Sequence, residues 1–287
     1  MNKIKVALTA HTENFSICKE VVPKLIKFFD NLEKETGIEV RVSWMLEQDD
    51  MRPYNCEIRS KQDGRVIEQG GKFFREIIAS RKDEIGLHIH FTRGWRFDPS
   101  PENQERLIKS AYEKFLDVFE FEPKSFVGGW WYSDSNTIKI LESLNFKTDA
   151  SPVPLYKERR IKWLFGKIPT PFKITTCNWE ECKERKPYHP SYRNPCIKGN
   201  AKILYVPNSV NPTAKSFSAE NFLSLDRLKY DFEGCVKIFK EFVNSNFKII
   251  CIPFHPHSIN DVNLVKKFLE ICNNYSKIYF TILGELA

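Results

Sequence analysis

Five of the six histidines in this 287-residue chain fall in three tight clusters, and each cluster closes a run of β-forming residues. His11 stands two before Glu13, after Lys5-Val6-Ala7-Leu8-Thr9-Ala10. His88 and His90 end Glu84-Ile85-Gly86-Leu87, and His255 and His257 end Ile249-Ile250-Cys251-Ile252-Pro253-Phe254. Strand side chains alternate faces, so residues two apart point the same way. Core packing has no need of histidine at strand ends. Three such pairs at matching positions therefore point to one shared metal or acid–base site.

Imidazole and carboxylate suit Zn²⁺ and similar divalent ions. Residues two apart on a strand stand roughly 6.6 Å apart along its axis, and two imidazoles reaching about 2 Å to one ion close that gap. Glu13, His88 and His90 are thus the expected metal ligands, with a position left open for water. An open position marks a catalytic site, where bound water becomes acidic enough to attack a carbonyl near neutral pH. His11 and His255 are the candidates for moving protons. Trp130, Trp131 and Tyr132 close the fourth strand-forming run; with His257 they are candidates to bind substrate, the rings by stacking on a sugar. The alternative for the three aromatics is an ordinary place in the core.

The elements that must position these residues alternate along the chain. Strands are expected at Lys5–Ala10, Glu39–Leu46, Glu84–Phe91, Lys124–Trp131, Phe146–Ser151, Lys202–Val210, Phe247–Phe254 and Lys277–Leu283. Helices are expected at Ile17–Lys34, closed by Gly37, then near Val66–Arg81, and at Pro101–Phe119 behind Ser100 as N-cap. Further helices are expected at Ser133–Leu144, Ala219–Val243 and Asn260–Cys272. Alternation of this kind implies parallel pairing with helices outside. Strand faces such as Ile85, Leu87, Ile89 and Phe91 are apolar, while Gly86, His88, His90 and Thr92 begin small and finish polar. That pattern fits an α/β fold, a distorted or incomplete (β/α) barrel of about seven to eight parallel strands, filled below and open to a site at the carboxyl ends of its strands.

Length and composition fit one domain over residues 1–287, with an irregular basic insertion at 152–200. The formal charge is +7, and ten Lys/Arg against four Glu lie between Lys157 and Arg193. A basic loop beside a site suits an anionic, phosphate-bearing ligand, or is simply a solvated face. No nucleic-acid motif accompanies it. No apolar stretch approaches the ~20 residues that span a bilayer, and Met1-Asn2-Lys3-Ile4 runs straight into a strand, so a cytoplasmic location is expected. Cys18, Cys235, Cys251 and Cys272 read as reduced core residues. Cys177, Cys182, His189 and Cys196 are metal-capable, but their spacing does not match that of zinc ribbons; an irregular loop is the better reading.

These segments resemble the motifs of the polysaccharide deacetylase family (NodB homology, carbohydrate esterase family 4). Leu8-Thr9-Ala10-His11-Thr12-Glu13-Asn14 resembles its first motif, and Glu84-Ile85-Gly86-Leu87-His88-Ile89-His90 its second. Ser125-Phe126-Val127-Gly128-Gly129, with Leu141-Glu142-Ser143-Leu144-Asn145-Phe146-Lys147-Thr148-Asp149-Ala150-Ser151, resembles the third and its continuation. Phe254-His255-Pro256-His257 resembles the late motif, whose histidine protonates the leaving group, and Phe280-Thr281-Ile282-Leu283-Gly284-Glu285-Leu286 the last strand. The resemblance implies a distorted barrel that hydrolyses acyl groups on sugars with one divalent metal. The chain departs from the family at three places: His11 replaces the Asp base, Thr92 stands where the second histidine ligand is usual, and Val127 replaces an Arg that orients the base. The expectation is a metal-dependent hydrolase removing an acetyl or formyl group from an amino sugar on an intracellular glycan or a nucleotide- or lipid-linked precursor. The alternative is a catalytically inactive carbohydrate-binding member of the same fold.

Overall fold

Short apolar runs, rich in Val, Ile and Leu, form the parallel strands of a computed structural model that describes residues 3–48, 65–93, 96–157, 163–164, 168–169, 179–259 and 261–287. The order is β1 (Ile4–Thr12), α1 (Phe15–Thr36), β2 (Val42–Glu47), α2 (Val66–Ser80), β3 (Glu84–Ile89), α3 (Pro101–Phe119), β4 (Ser125–Gly128) and α4 (Ser135–Ser143). There follow β5 (Thr148–Asp149), β6 (Leu204–Tyr205), α5 (Phe232–Asn244), β7 (Ile249–Phe254), α6 (Val262–Tyr275) and β8 (Ile278–Phe280). The sheet runs β6-β5-β4-β3-β2-β1-β7, and β8 pairs with the start of β1. All these pairings are parallel.

The two ends of this curled sheet, β6 and β7, approach each other just beyond β6, where Asn208 bridges Cys251 and the Ser209 N–H donates to the Cys251 carbonyl at 3.1 Å. The result is a distorted, incomplete (β/α) barrel. Its strands are buried on both faces, which divides the apolar side chains into two cores. The outer core lies between strands and helices: α1 contributes Cys18, Val22, Leu25, Phe29 and Leu32 at helical spacing. Each such side chain stabilises the fold by roughly 1.5–3 kcal/mol. The inner core fills the barrel with Ala7, Met45, Val127, Ala150, Cys251 and Leu283. A side chain at position 86 would meet the Ser125 carbonyl and Met45, so Gly86 is needed there.

Three expectations need correction. The helix expected at Ala219–Val243 forms only from Phe232; before it, Ala219–Asn221 and Leu225–Arg227 are single 3₁₀ turns. Ser224 Oγ accepts from the Asp226 N–H, and Asp231 caps α5 through the Gly234 N–H, so local side-chain bonds divide the run. The strand expected to reach Trp131 stops at Gly128, and Trp130 and Trp131 turn into the left-handed region at φ 50° and 62°. Ser100 does occupy the N-cap position of α3, but its hydroxyl makes no capping bond there. Gly37 ends α1 as expected, at φ 71° with its N–H on the Glu33 carbonyl. Among the described residues no helix is long and apolar enough to cross a membrane.

Candidate metal centre

Strand register brings the histidine clusters together. Glu47 pairs with His88 between β2 and β3, His88 with Val127 between β3 and β4, and Ala10 with Phe254 between β1 and β7. The residues closing these strands meet at one end of the barrel. The ligand atoms of Glu13, His88 and His90 all lie within 4.8 Å of one another. Glu13 Oε1 is 3.2 Å from His88 Nε2, 3.5 Å from His90 Nε2 and 3.9 Å from His255 Nε2.

The far nitrogen of each imidazole faces an oxygen, through a hydrogen bond at His88 and His255 and an ion-pair contact at His90. His88 Nδ1 lies 3.1 Å from the Val127 carbonyl, which as an acceptor fixes the proton on Nδ1 and leaves Nε2 a lone pair towards Glu13. His90 Nδ1 lies 3.0 Å from Glu47 Oε1, and His255 Nδ1 2.8 Å from Asp226 Oδ2. Asp226 also accepts from the His255 backbone N–H at 2.9 Å. Such outer contacts are what orient metal-ligating imidazoles.

His11 completes the group. Its ring centroid is 4.8 Å from that of His88 and 5.2 Å from that of His255. Its Nε2 is buried and has no hydrogen-bond partner among the described residues. Burial, reinforced by His88 and His255, holds this imidazole well below its ordinary range against an upward pull from Glu13. The ring is therefore held neutral, with one nitrogen lone pair, and the same depression makes it a weaker base than an exposed histidine.

The two tryptophans wall the group on either side. Trp130 meets His90 with centroids 4.8 Å apart, and Trp131 meets His11 at the same separation. Gly129 is needed at this turn, because a Cβ there would overlap the His90 ring. Three bonds steady the turn: Trp179 Nε1–H to the Trp131 carbonyl at 2.8 Å, the Gly128 N–H to Ser151 Oγ at 2.7 Å, and that hydroxyl to Asp149. Tyr132 instead packs on Phe91 and Phe97, with its hydroxyl on Asp134. The His257 ring lies 5.5 Å from that of His255, in the turn after β7.

Of the second metal-capable group Cys182 and Cys196 lie together, but among the described residues no third ligand joins them. Cys182 Sγ lies 3.2 Å from the Tyr188 hydroxyl and His189 Nδ1 3.0 Å from the Ile203 carbonyl; Cys177 falls outside the described residues. Sequence reasoning missed Glu47, Asp226 and Trp179. Glu47 had a signal: it directly follows an apolar strand run, as His88 and His255 do. Asp226 and Trp179 had none.

Neither a family model nor a curated protein sequence matches the chain. Solved structures do. A protein assigned as a polysaccharide deacetylase from Mycobacterium smegmatis aligns over 98% of this chain and 89% of its own, with 10% identity and a TM-score of 0.53. A mutant CE4-family pseudoenzyme from Bacillus anthracis with restored enzymatic activity aligns over 99% and 68%, with 10% identity and a TM-score of 0.52. The fold is that of the polysaccharide deacetylases. A 4-alpha-glucanotransferase from Thermococcus litoralis shares it over 99% of this chain and 40% of its own, at 14% identity and a TM-score of 0.52. The fold alone therefore does not choose the reaction, and the side chains at the barrel mouth must.

Proposed function

We propose that the protein is a metal-dependent amidohydrolase that removes an acetyl or formyl group from an N-acylated amino sugar. The observation that supports this most is the convergence of Glu13, His88 and His90 within 4.8 Å, beside a buried His11 nitrogen with no partner among the described residues. One carboxylate and two imidazoles, two of the three oriented by outer acceptors, match the chemistry of a catalytic zinc site. An ion held there would polarise the acyl carbonyl and lower the pKa of water.

The chain's own groups handle the protons. His11 Nε2 accepts the proton of the attacking water as oxygen bonds to the acyl carbon. The carbon–nitrogen bond then breaks, and His255 Nε2 delivers a proton to the departing nitrogen, giving a free amine and acetate or formate. Asp226 clamps the His255 ring so that Nε2 faces Glu13. Trp130 and Trp131 flank the cleft and offer faces for a sugar ring; His257 extends it beyond His255.

Glycosidic chemistry is the less suitable use of this mouth. It needs two carboxyl groups flanking the scissile bond, whereas Glu47 is fully buried against His90 and Asp226 is engaged by His255. The basic run from Lys157 to Arg193, much of it outside the described residues, supports a phosphate-bearing substrate such as a nucleotide- or lipid-linked sugar made inside the cell.

The test is metal content followed by product release. The native chain should hold one ion per molecule and free acetate or formate from acylated sugar nucleotides. His88→Ala should lose both. Full metal occupancy in His88→Ala would remove the basis of this assignment, and stoichiometric metal without acyl release from any acylated sugar would favour a binding protein.

A further inference from the structure

Glu47 is among the most deeply buried carboxyl groups in the molecule, with no exposed surface at all, and it ends β2 at the level of His88. A carboxylate in such a place is costly unless a donor or cation answers it. Its Oε1 stands 3.0 Å from Nδ1 of His90, itself buried to 3% exposure. Nδ1 is the nitrogen away from Glu13; the other, Nε2, is the one 3.5 Å from the Glu13 carboxylate.

From this geometry we infer that Glu47 is the positioning residue of the metal centre. Its carboxylate lies against Nδ1 of His90, within ion-pair distance though outside hydrogen-bond geometry, and this charge favours the tautomer protonated on Nδ1, with the Nε2 lone pair aimed at the space shared with Glu13 and His88. The inference rests on the metal-holding reading above. It explains how His90 can serve two residues after His88. Adjacent inward positions on one strand give the two rings little freedom to turn, so His90 needs an external anchor to set its plane, and their centroids are 4.7 Å apart at an angle of 82°. Gly129 and Trp130 press on the same ring from the other side. Glu47 also supplies charge. A dication beside Glu13 alone would leave a net positive charge among largely buried side chains, and the second carboxylate would cancel it.

The experiment compares the native full-length chain with Glu47→Gln, which keeps the shape and removes the charge. Zn²⁺ alone is titrated into metal-free protein against a chromophoric chelator, with thermal melting of the metal-free form as the control. The expected result is a ten- to hundredfold weaker Zn²⁺ affinity with a melting temperature close to native, the loss typical of an outer carboxylate on a metal-ligating imidazole. A purely structural role predicts the reverse, a lowered melting temperature with affinity within twofold of native, and that result overturns the inference while leaving the proposed function standing. A native chain that takes up no Zn²⁺ overturns both. Should Glu47→Gln not fold, the ¹⁵N spectrum of the histidine rings in the native metal-free chain decides the matter. His90 protonated on Nδ1 supports the inference, and His90 protonated only on Nε2 overturns it.

Discussion

Glu84 and His88 stand four residues apart on β3 and face the same barrel interior, yet their surroundings are opposite in kind. At the base, Glu84 is surrounded by donors: Ser43 Oγ at 2.7 Å, Ser125 Oγ at 2.5 Å and the Gly284 N–H at 3.1 Å. The two hydroxyls are themselves held, by the Leu283 N–H and by Thr148 Oγ1. Burial pushes the Glu84 carboxyl up, and these hydrogen bonds pull against that shift. At the mouth, by contrast, Glu13 faces three imidazole nitrogens, and His11 Nε2 has no partner among the described residues. The base is a closed polar plug whose groups satisfy one another. The mouth gathers a carboxylate and several imidazoles around one another, and that difference separates structure from chemistry more reliably than burial does.

The contrast can be broken by experiment, beginning where the effect is largest. His255→Ala should lower kcat about a thousandfold, within the range for loss of a general acid, and leave Zn²⁺ affinity unchanged. Acetate or formate release and a chelator titration measure the two. A parallel collapse of affinity would move His255 among the ligands and undo its assigned role. At the other end, Glu84→Ala strands several buried donors and should cost about 3 kcal/mol of stability by urea unfolding. The folded variant should keep its kcat within about twofold of native. A large loss of kcat in fully folded protein would mean that the base is coupled to the mouth after all.

Between the two ends lies Asp149, which anchors Ser151 and Ser133 and, through Ser151, the Gly128 turn that presents the tryptophans. Burial raises its carboxyl to about 6. A folded value above the unfolded one means that the protonated form is favoured in the native state. Its contribution is full below about pH 4 and is lost as pH rises to about 6, a change of about 3 kcal/mol. Asp149→Asn should remove that slope from the pH dependence of urea unfolding, and an unaltered slope would show that another group titrates there.

How far the sequence revealed this arrangement depends on how local the cause was. The convergence of Glu13, His88 and His90 was legible because carboxylate and imidazole residues at a spacing of two closed apolar strand runs, and strand geometry alone then places each pair on one face. The barrel was legible from the same runs, since strands such as Ile85–Ile89 are apolar on both sides. The Trp130–Trp131 turn was not, because aromatic residues favour strands and the contacts that hold the turn, Trp179 on the Trp131 carbonyl and Ser151 on the Gly128 N–H, come from distant parts of the chain. Asp226 was hidden for a similar reason. Ala219–Val243 has the composition of a helix, and although the caps that divide it are local, the pair of bonds that gives Asp226 its place at the mouth runs to a residue 29 positions away. Non-local bonds of this kind leave no periodicity to read.

Asp226 also provides the finest test of the contrast, because it belongs to the mouth yet is spent on another side chain in the way Glu84 is. Its Oδ1 takes the His255 backbone N–H and its Oδ2 the ring Nδ1–H, so both oxygens act on one residue. Asparagine can satisfy only one of those donors; its amide group must face the other. Asp226→Asn should therefore leave the His255 ring less firmly oriented and lower kcat about tenfold, equivalent to about 1.4 kcal/mol. KM, Zn²⁺ affinity and melting temperature should stay near native, since neither the ligands nor the cores are touched. If instead the melting temperature falls and kcat holds, Asp226 serves only to tether the loop before α5 to the end of β7, and the proton donor of the proposed reaction must be sought elsewhere.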